Sequence, residues 1–126
     1  MEQIVIETKD APQAIGPYVQ GRKVGSLLFT SGQIALDHKT GALVGEDIET
    51  QTHAVLNNLA AVVRAGGGDI QNIVKTTIFI KDMNDFATIN GIYAEFFGDH
   101  KPARSCVEAA RLPKDVLIEI ECIASI

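Results

Sequence analysis

The chain has 126 residues, of which 46% are hydrophobic and 21% charged, and it carries a formal net charge of −5 at pH 7. This length predicts a single domain, residues 1–126, that buries roughly two thirds of its unfolded surface, and the composition excludes a disordered chain. The acidic balance and the absence of any Lys/Arg run weigh against a nucleic-acid partner, because nonspecific affinity for phosphates rests on clustered cations.

At the N-terminus, MEQIVIETKD lacks the basic segment and long apolar stretch of a signal peptide, and apolar runs such as LAAVV at 59–63 are far too short to span a membrane. A cytoplasmic protein is expected. AIGPYVQG at 14–21 places Gly-Pro before Tyr18, which predicts a rigid turn presenting an aromatic ring, either for packing or as a substrate wall. KVGSLLFTSGQIAL at 23–36 predicts a strand. Within it TSGQ marks a strand end, where Ser31 offers a hydroxyl and Gly32 a backbone N–H open to close approach. LDHKTGAL then reads as a hairpin or loop.

Ile48, Thr52, Val55, Leu56, Leu59, Val62 and Val63 recur at helical spacing, with Asp47 as N-cap and the glycines at 66–68 as the stop. IVKTTIFIKD at 73–82 predicts a strand with Val74, Thr76, Ile78 and Ile80 on one face. A second helix follows the capping candidates Asn84 and Asp85, carries Phe86, Ile89, Tyr93, Phe96 and Phe97 on its apolar stripe, and ends at Gly98. Asn90 falls on that stripe, either as a buried amide satisfied by the backbone or as a pocket group. This order of elements predicts an α+β domain whose two helices cover one face of a sheet. The other face, partly apolar and uncovered, predicts self-association.

RSCVEAARLPKDVLIEIECIA at 104–124 reads as two short strands joined by a turn. Alternation places Arg104, Cys106 and Glu108 on one face of the first strand and Ser105, Val107 and Ala109 on the other. In the second, Val116, Ile118, Ile120, Cys122 and Ala124 form an apolar face opposite Leu117, Glu119, Glu121 and Ile123. The link is short enough for the two strands to be sheet neighbours, which would let Arg104 meet the Glu119/Glu121 pair. An arginine fork binds a carboxylate through two parallel hydrogen bonds, and that carboxylate is either a side chain, in a structural salt bridge, or a ligand. Spacing does not choose between Glu119 and Glu121. Cys106 and Cys122 read as thiols, and His38, His53 and His100 lack the spacing of a metal site.

AIGPYVQG, FTSGQIAL and NDFATINGIYAEFFGDHKPARSCVEAARLPKDVLIEIECIA, together with the helix between them, resemble the RidA/YjgF/UK114 family of reactive intermediate deaminases over essentially the whole chain. The resemblance implies a chorismate-mutase-like fold and a homotrimer with ligand sites in clefts between subunits. It also implies hydrolysis of 2-imino acids, such as 2-iminobutanoate and 2-iminopropanoate, to 2-keto acids and ammonia, without a cofactor. Pyridoxal-phosphate dehydratases acting on threonine and serine would release these substrates. By the same resemblance Arg104 binds the substrate carboxylate, Glu119 activates water, and Tyr18, Ser31, Gly32, Asn90 and Cys106 complete the pocket. Two other roles associated with the family stay open. One is a non-catalytic module that binds small carboxylates or holds client proteins. The other is a translation-inhibiting endoribonuclease, which the acidic charge disfavours.

Overall fold

The computed structural model describes residues 1–126. Its strands are β1 (Gln3–Ile6), β2 (Gly21–Val24), β3 (Leu27–Thr30), β4 (Ile73–Ile80), β5 (Ala103–Glu108) and β6 (Ile118–Ser125), and its helices are α1 (Ile48–Ala65) and α2 (Phe86–Phe97). The strands form one 6-stranded mixed sheet in the order β1-β2-β3-β6-β4-β5, in which only the β4–β5 pair is parallel. Both helices pack on the same face, where Val55, Leu59, Val62 and Ile89 meet Ile78, Ile118, Ile120 and Cys122 in one core. The α+β arrangement read from the sequence is the observed one.

α1 begins where Asp47 accepts a 2.9 Å hydrogen bond from the Thr50 N–H, has Glu49 in its first turn and Arg64 in its last, and stops at Gly66. Charges so placed complement the helix dipole. α2 starts differently from the sequence expectation. Asp85 makes no side-chain cap; the capping carboxylate is Asp82, which accepts from Asn84 N at 2.9 Å and tightens the 3₁₀ turn Met83–Asp85 that leads into the helix. The segment 23–36 is not one strand either. Gly25, at φ 58°, turns the chain between β2 and β3, and the residues after Thr30 leave the ladder except for a bridge between Gln33 and Ile120. β1, which lacks a clean alternation, pairs with β2 at the sheet edge.

In β4, Thr76, Ile78 and Ile80 face the helices as predicted, but Val74 does not. A bulge between Ile73 and Lys75 puts Ile73 into the core and leaves Val74 45% exposed. The larger correction concerns β5 and β6, which are not neighbours. α2 carries the chain across from β4 to β5 as a parallel crossover, so β5 takes the outer edge of β4 and β6 must pair with its inner edge. The face opposite the helices has no cover within the chain and exposes Leu27, Phe29 and Val107 at 40–46%.

Candidate functional site

The registers decide where the charged residues point. Arg104 pairs with Thr76 and Cys106 with Ile78, both of which face the helices, whereas Glu119 and Val107 flank Phe79 on the uncovered face. Arg104 and Glu119 therefore stand on opposite faces of the same sheet. The convergence expected from the short link does not occur within one chain, because β4 separates the strands and the pairing is offset by an odd number of residues.

Glu119 borders a cavity of about 490 Å³ that it shares with Tyr18, Ser31, Gly32 and Lys114. Burial pushes its carboxyl above the usual range, and the nearby Glu121 charge adds to the shift. The wall opposite Glu119 is held from below. Gln33 and Ile120 exchange backbone hydrogen bonds of 2.8 and 3.1 Å, which draws Gly32 alongside Glu119. A Cβ at Gly32 would overlap the Glu119 carboxylate, with Cδ only 2.8 Å away, so the close approach requires glycine. The Gly32 N–H makes no hydrogen bond within the chain. Ser31 donates its hydroxyl to Val19 O at 2.6 Å, fixing the loop that carries Tyr18. Tyr18 is 51% exposed at the cavity and accepts from Ile15 N at 3.3 Å.

Three buried amides position these walls. Gln20 accepts from Thr8 N at 2.7 Å and donates to Pro12 O at 2.7 Å, locking the 8–12 segment onto β2. Asn58 of α1 donates to Ile34 O and Leu36 O at 3.0 and 3.1 Å, and Gln51 accepts from Leu117 N at 2.8 Å, two residues before Glu119. The sequence reading missed all three. Its available signal was a polar residue among helical core positions, as with Asn58 between Val55 and Val62.

A tight turn closes the cavity rim. Lys114 and Asp115 both adopt left-handed φ, at 57° and 55°, which costs roughly 1–2 kcal/mol per residue for side chains other than glycine. Arg111 holds the turn by donating to both Asp115 carboxylate oxygens, at 2.7 and 3.1 Å.

Arg104 borders a second cavity, of about 380 Å³, with Asn90, Tyr93, Phe97, His100 and Lys101. Its guanidinium donates to Asn90 Oδ1 at 2.7 Å and lies 5.0 Å from the Tyr93 ring centroid and 5.4 Å from that of Phe86. Tyr93 is itself fixed by a 2.7 Å hydrogen bond with the buried Thr76. Asn90 is thus satisfied by Arg104 rather than by backbone. Phe86 and Tyr93, read from the sequence as core residues only, also form the platform under the guanidinium. On the expectation that Arg104 binds a substrate carboxylate, Asn90→Ala should free this fork and raise KM about tenfold with a smaller change in kcat, which steady-state kinetics would measure. Cys106 follows on the same face, half-buried; burial pushes its thiol up while Arg104 pulls it down. Cys122 lies in the core and is pushed up to about 12, mainly by burial, so it stays a thiol.

The chain matches the family described as Endoribonuclease L-PSP over residues 8–126. It is 59% identical over 122 residues to the 2-iminobutanoate/2-iminopropanoate deaminase of Salmonella typhimurium, covering 94% of each chain. It is 55% identical over 120 residues to a RutC family protein of Pyrococcus horikoshii, covering 95% of each. Its structure superposes on that of Escherichia coli TdcF with bound serine at a TM-score of 0.94, with 52% identity and 98% of both chains covered. A family match over nearly the whole length, at this identity and with this fold, makes the chain a member of the RidA/YjgF/UK114 family.

Proposed function

We propose that this protein hydrolyses 2-imino acids such as 2-iminobutanoate and 2-iminopropanoate to 2-keto acids and ammonia. Relatives that bear this activity in their names support the reading. The observation that carries it is Glu119, a half-buried carboxylate with a raised pKa in a cavity of ligand size beside Ser31, Gly32 and Tyr18. A carboxylate so placed takes a proton from water as the water oxygen adds to the C=N carbon. The imine nitrogen gains protons and leaves as ammonia while C=O forms. Arg104 binds the substrate carboxylate with its fork, and Asn90, Phe86 and Tyr93 hold that fork in place. Tyr18 walls the cavity, the Gly32 N–H offers a donor, and Cys106 packs beside Arg104.

Since Arg104 and Glu119 face opposite ways in one chain, the site we propose joins Glu119 of one copy to Arg104 of the next, in a homotrimer that covers the exposed sheet face. Neither metal nor organic cofactor enters this scheme. Imines already hydrolyse in water, so positioning plus one acid–base group, on the order of 10² to 10⁴ in rate, is sufficient. The substrates would come from pyridoxal-phosphate dehydratases in the cytoplasm, with no stable complex required. No helix here is long and apolar enough to cross a membrane.

The test generates 2-iminobutanoate from threonine with a dehydratase in the presence of semicarbazide. Competition of the protein with the trap supports the reading; an unchanged yield of trapped imine sinks it. The pH profile adds a second check. Glu119 works as a base only when ionised, so kcat/KM should fall as pH drops through its raised pKa. Removing the neighbouring charge with Glu121→Gln should move that acidic limb to lower pH. An unmoved limb would assign it to another group.

A further inference from the structure

We propose that the Glu119 cavity also accepts 2-imino acids bearing a second acidic group, the imines of acidic amino acids, and that Lys114 binds their distal carboxylate. This rests on the imine-hydrolysis reading above and names a further substrate class for the same site. Among the residues lining the cavity, Lys114 is the only cation and Glu119 the only anion.

The other polar side chains there are already engaged. Gln13, Gln20 and Gln33 each donate to backbone carbonyls, Ser31 donates to Val19 O, and Tyr18 accepts from Ile15 N. Lys114 has no such partner: the ion pairs of the chain are Arg64–Asp69 and Arg111–Asp115. Nor is its charge spent on Glu119, whose raised carboxyl reflects burial and Glu121 with no cation opposing them. Within the chain, then, the Lys114 ammonium at the cavity rim has no partner.

Its placement is enforced. Buried Leu112 anchors the turn before Pro113, and the solvent-exposed Arg111–Asp115 pair bridges it from one side of Lys114 to the other, so the left-handed turn keeps Lys114 at the rim. The volume also fits. Before a neighbouring copy covers this face the cavity measures about 490 Å³, more room than a four-carbon monoacid needs. With Arg104 on the α-carboxylate, a lysine on a flexible stem suits a terminal carboxylate at variable distance.

Lys114→Asn is the diagnostic variant, because asparagine tolerates left-handed backbone while removing the charge. Calorimetric titration with the stable keto acids 2-oxoglutarate and 2-oxobutanoate should show the wild type favouring the diacid by about tenfold. The variant should lose that preference and keep its 2-oxobutanoate affinity within about twofold. Turnover of 2-iminoglutarate, made by an amino-acid oxidase and followed by semicarbazide trapping, should fall about tenfold in the variant while 2-iminobutanoate turnover holds.

Equal effects on both acids, or no diacid preference in the wild type, would overturn the proposal while leaving imine hydrolysis standing. A binding preference lost in the variant, with no turnover of either imine by the wild type, would sustain the diacid site and overturn the hydrolysis reading instead.

Discussion

Arg104→Ala and Glu119→Gln should each remove activity on 2-iminobutanoate, the first by on the order of 10² to 10³ in kcat/KM and the second by on the order of 10² to 10⁴. Mixed together they should recover it in part. The two side chains stand on opposite faces of one sheet, so a site that uses both draws them from different copies. If equal amounts of the two variants are unfolded together and reassembled at random, about one quarter of the sites between copies receive an intact Arg104 and an intact Glu119. Activity near one quarter of wild type is the expected result, against almost none for either variant refolded alone. No recovery, with oligomers shown to have exchanged subunits, would rule out a shared site. The Glu119→Gln protein should also be more heat-stable than wild type near neutral pH. A carboxyl with a raised pKa costs folding free energy once ionised, so the gain should vanish as pH falls below about 4, where both states are protonated.

How far the sequence went is clearest in β6 and α1. Alternation along Ile118, Ile120, Cys122 and Ala124 and the helical stripe from Val55 to Val63 correspond to fully or almost fully buried positions, since burial on one face is a local pattern that a strand or helix period displays. Arg104 and Glu119 were legible as candidates but not as a geometry. Which strand lies between them depends on the α2 crossover, a long-range choice that no local period encodes. The same limit applies to Gln20, Gln51 and Asn58, whose partners lie 12, 66 and 24 residues away. Polar residues of this kind look like surface until the fold supplies backbone groups for them to meet. Tyr93 and Phe86 were read correctly but incompletely: the aromatic stripe does pack, and here it also supports a guanidinium.

Gly32→Ala should separate the fold from the chemistry. The atoms that an added Cβ meets are the Cγ, Cδ and carboxylate of Glu119, the outer part of a flexible side chain, with Cγ at 3.0 Å and Cδ at 2.8 Å. Glu119 can swing aside without moving β6, so the melting temperature should shift by no more than about 4 °C. The catalytic cost should be large, because displacing a positioned base by about 1 Å forfeits on the order of 10² in rate. The added methyl meets only the Glu119 side chain and leaves the neighbouring copy's guanidinium fork unchanged, so affinity for 2-oxobutanoate should stay within about threefold while kcat drops. A variant that instead lost ligand binding and kept its kcat would show that Gly32 serves the substrate carboxylate rather than the placement of Glu119. One that retained full activity would mean that Glu119 works from a rotamer compatible with a methyl group at position 32.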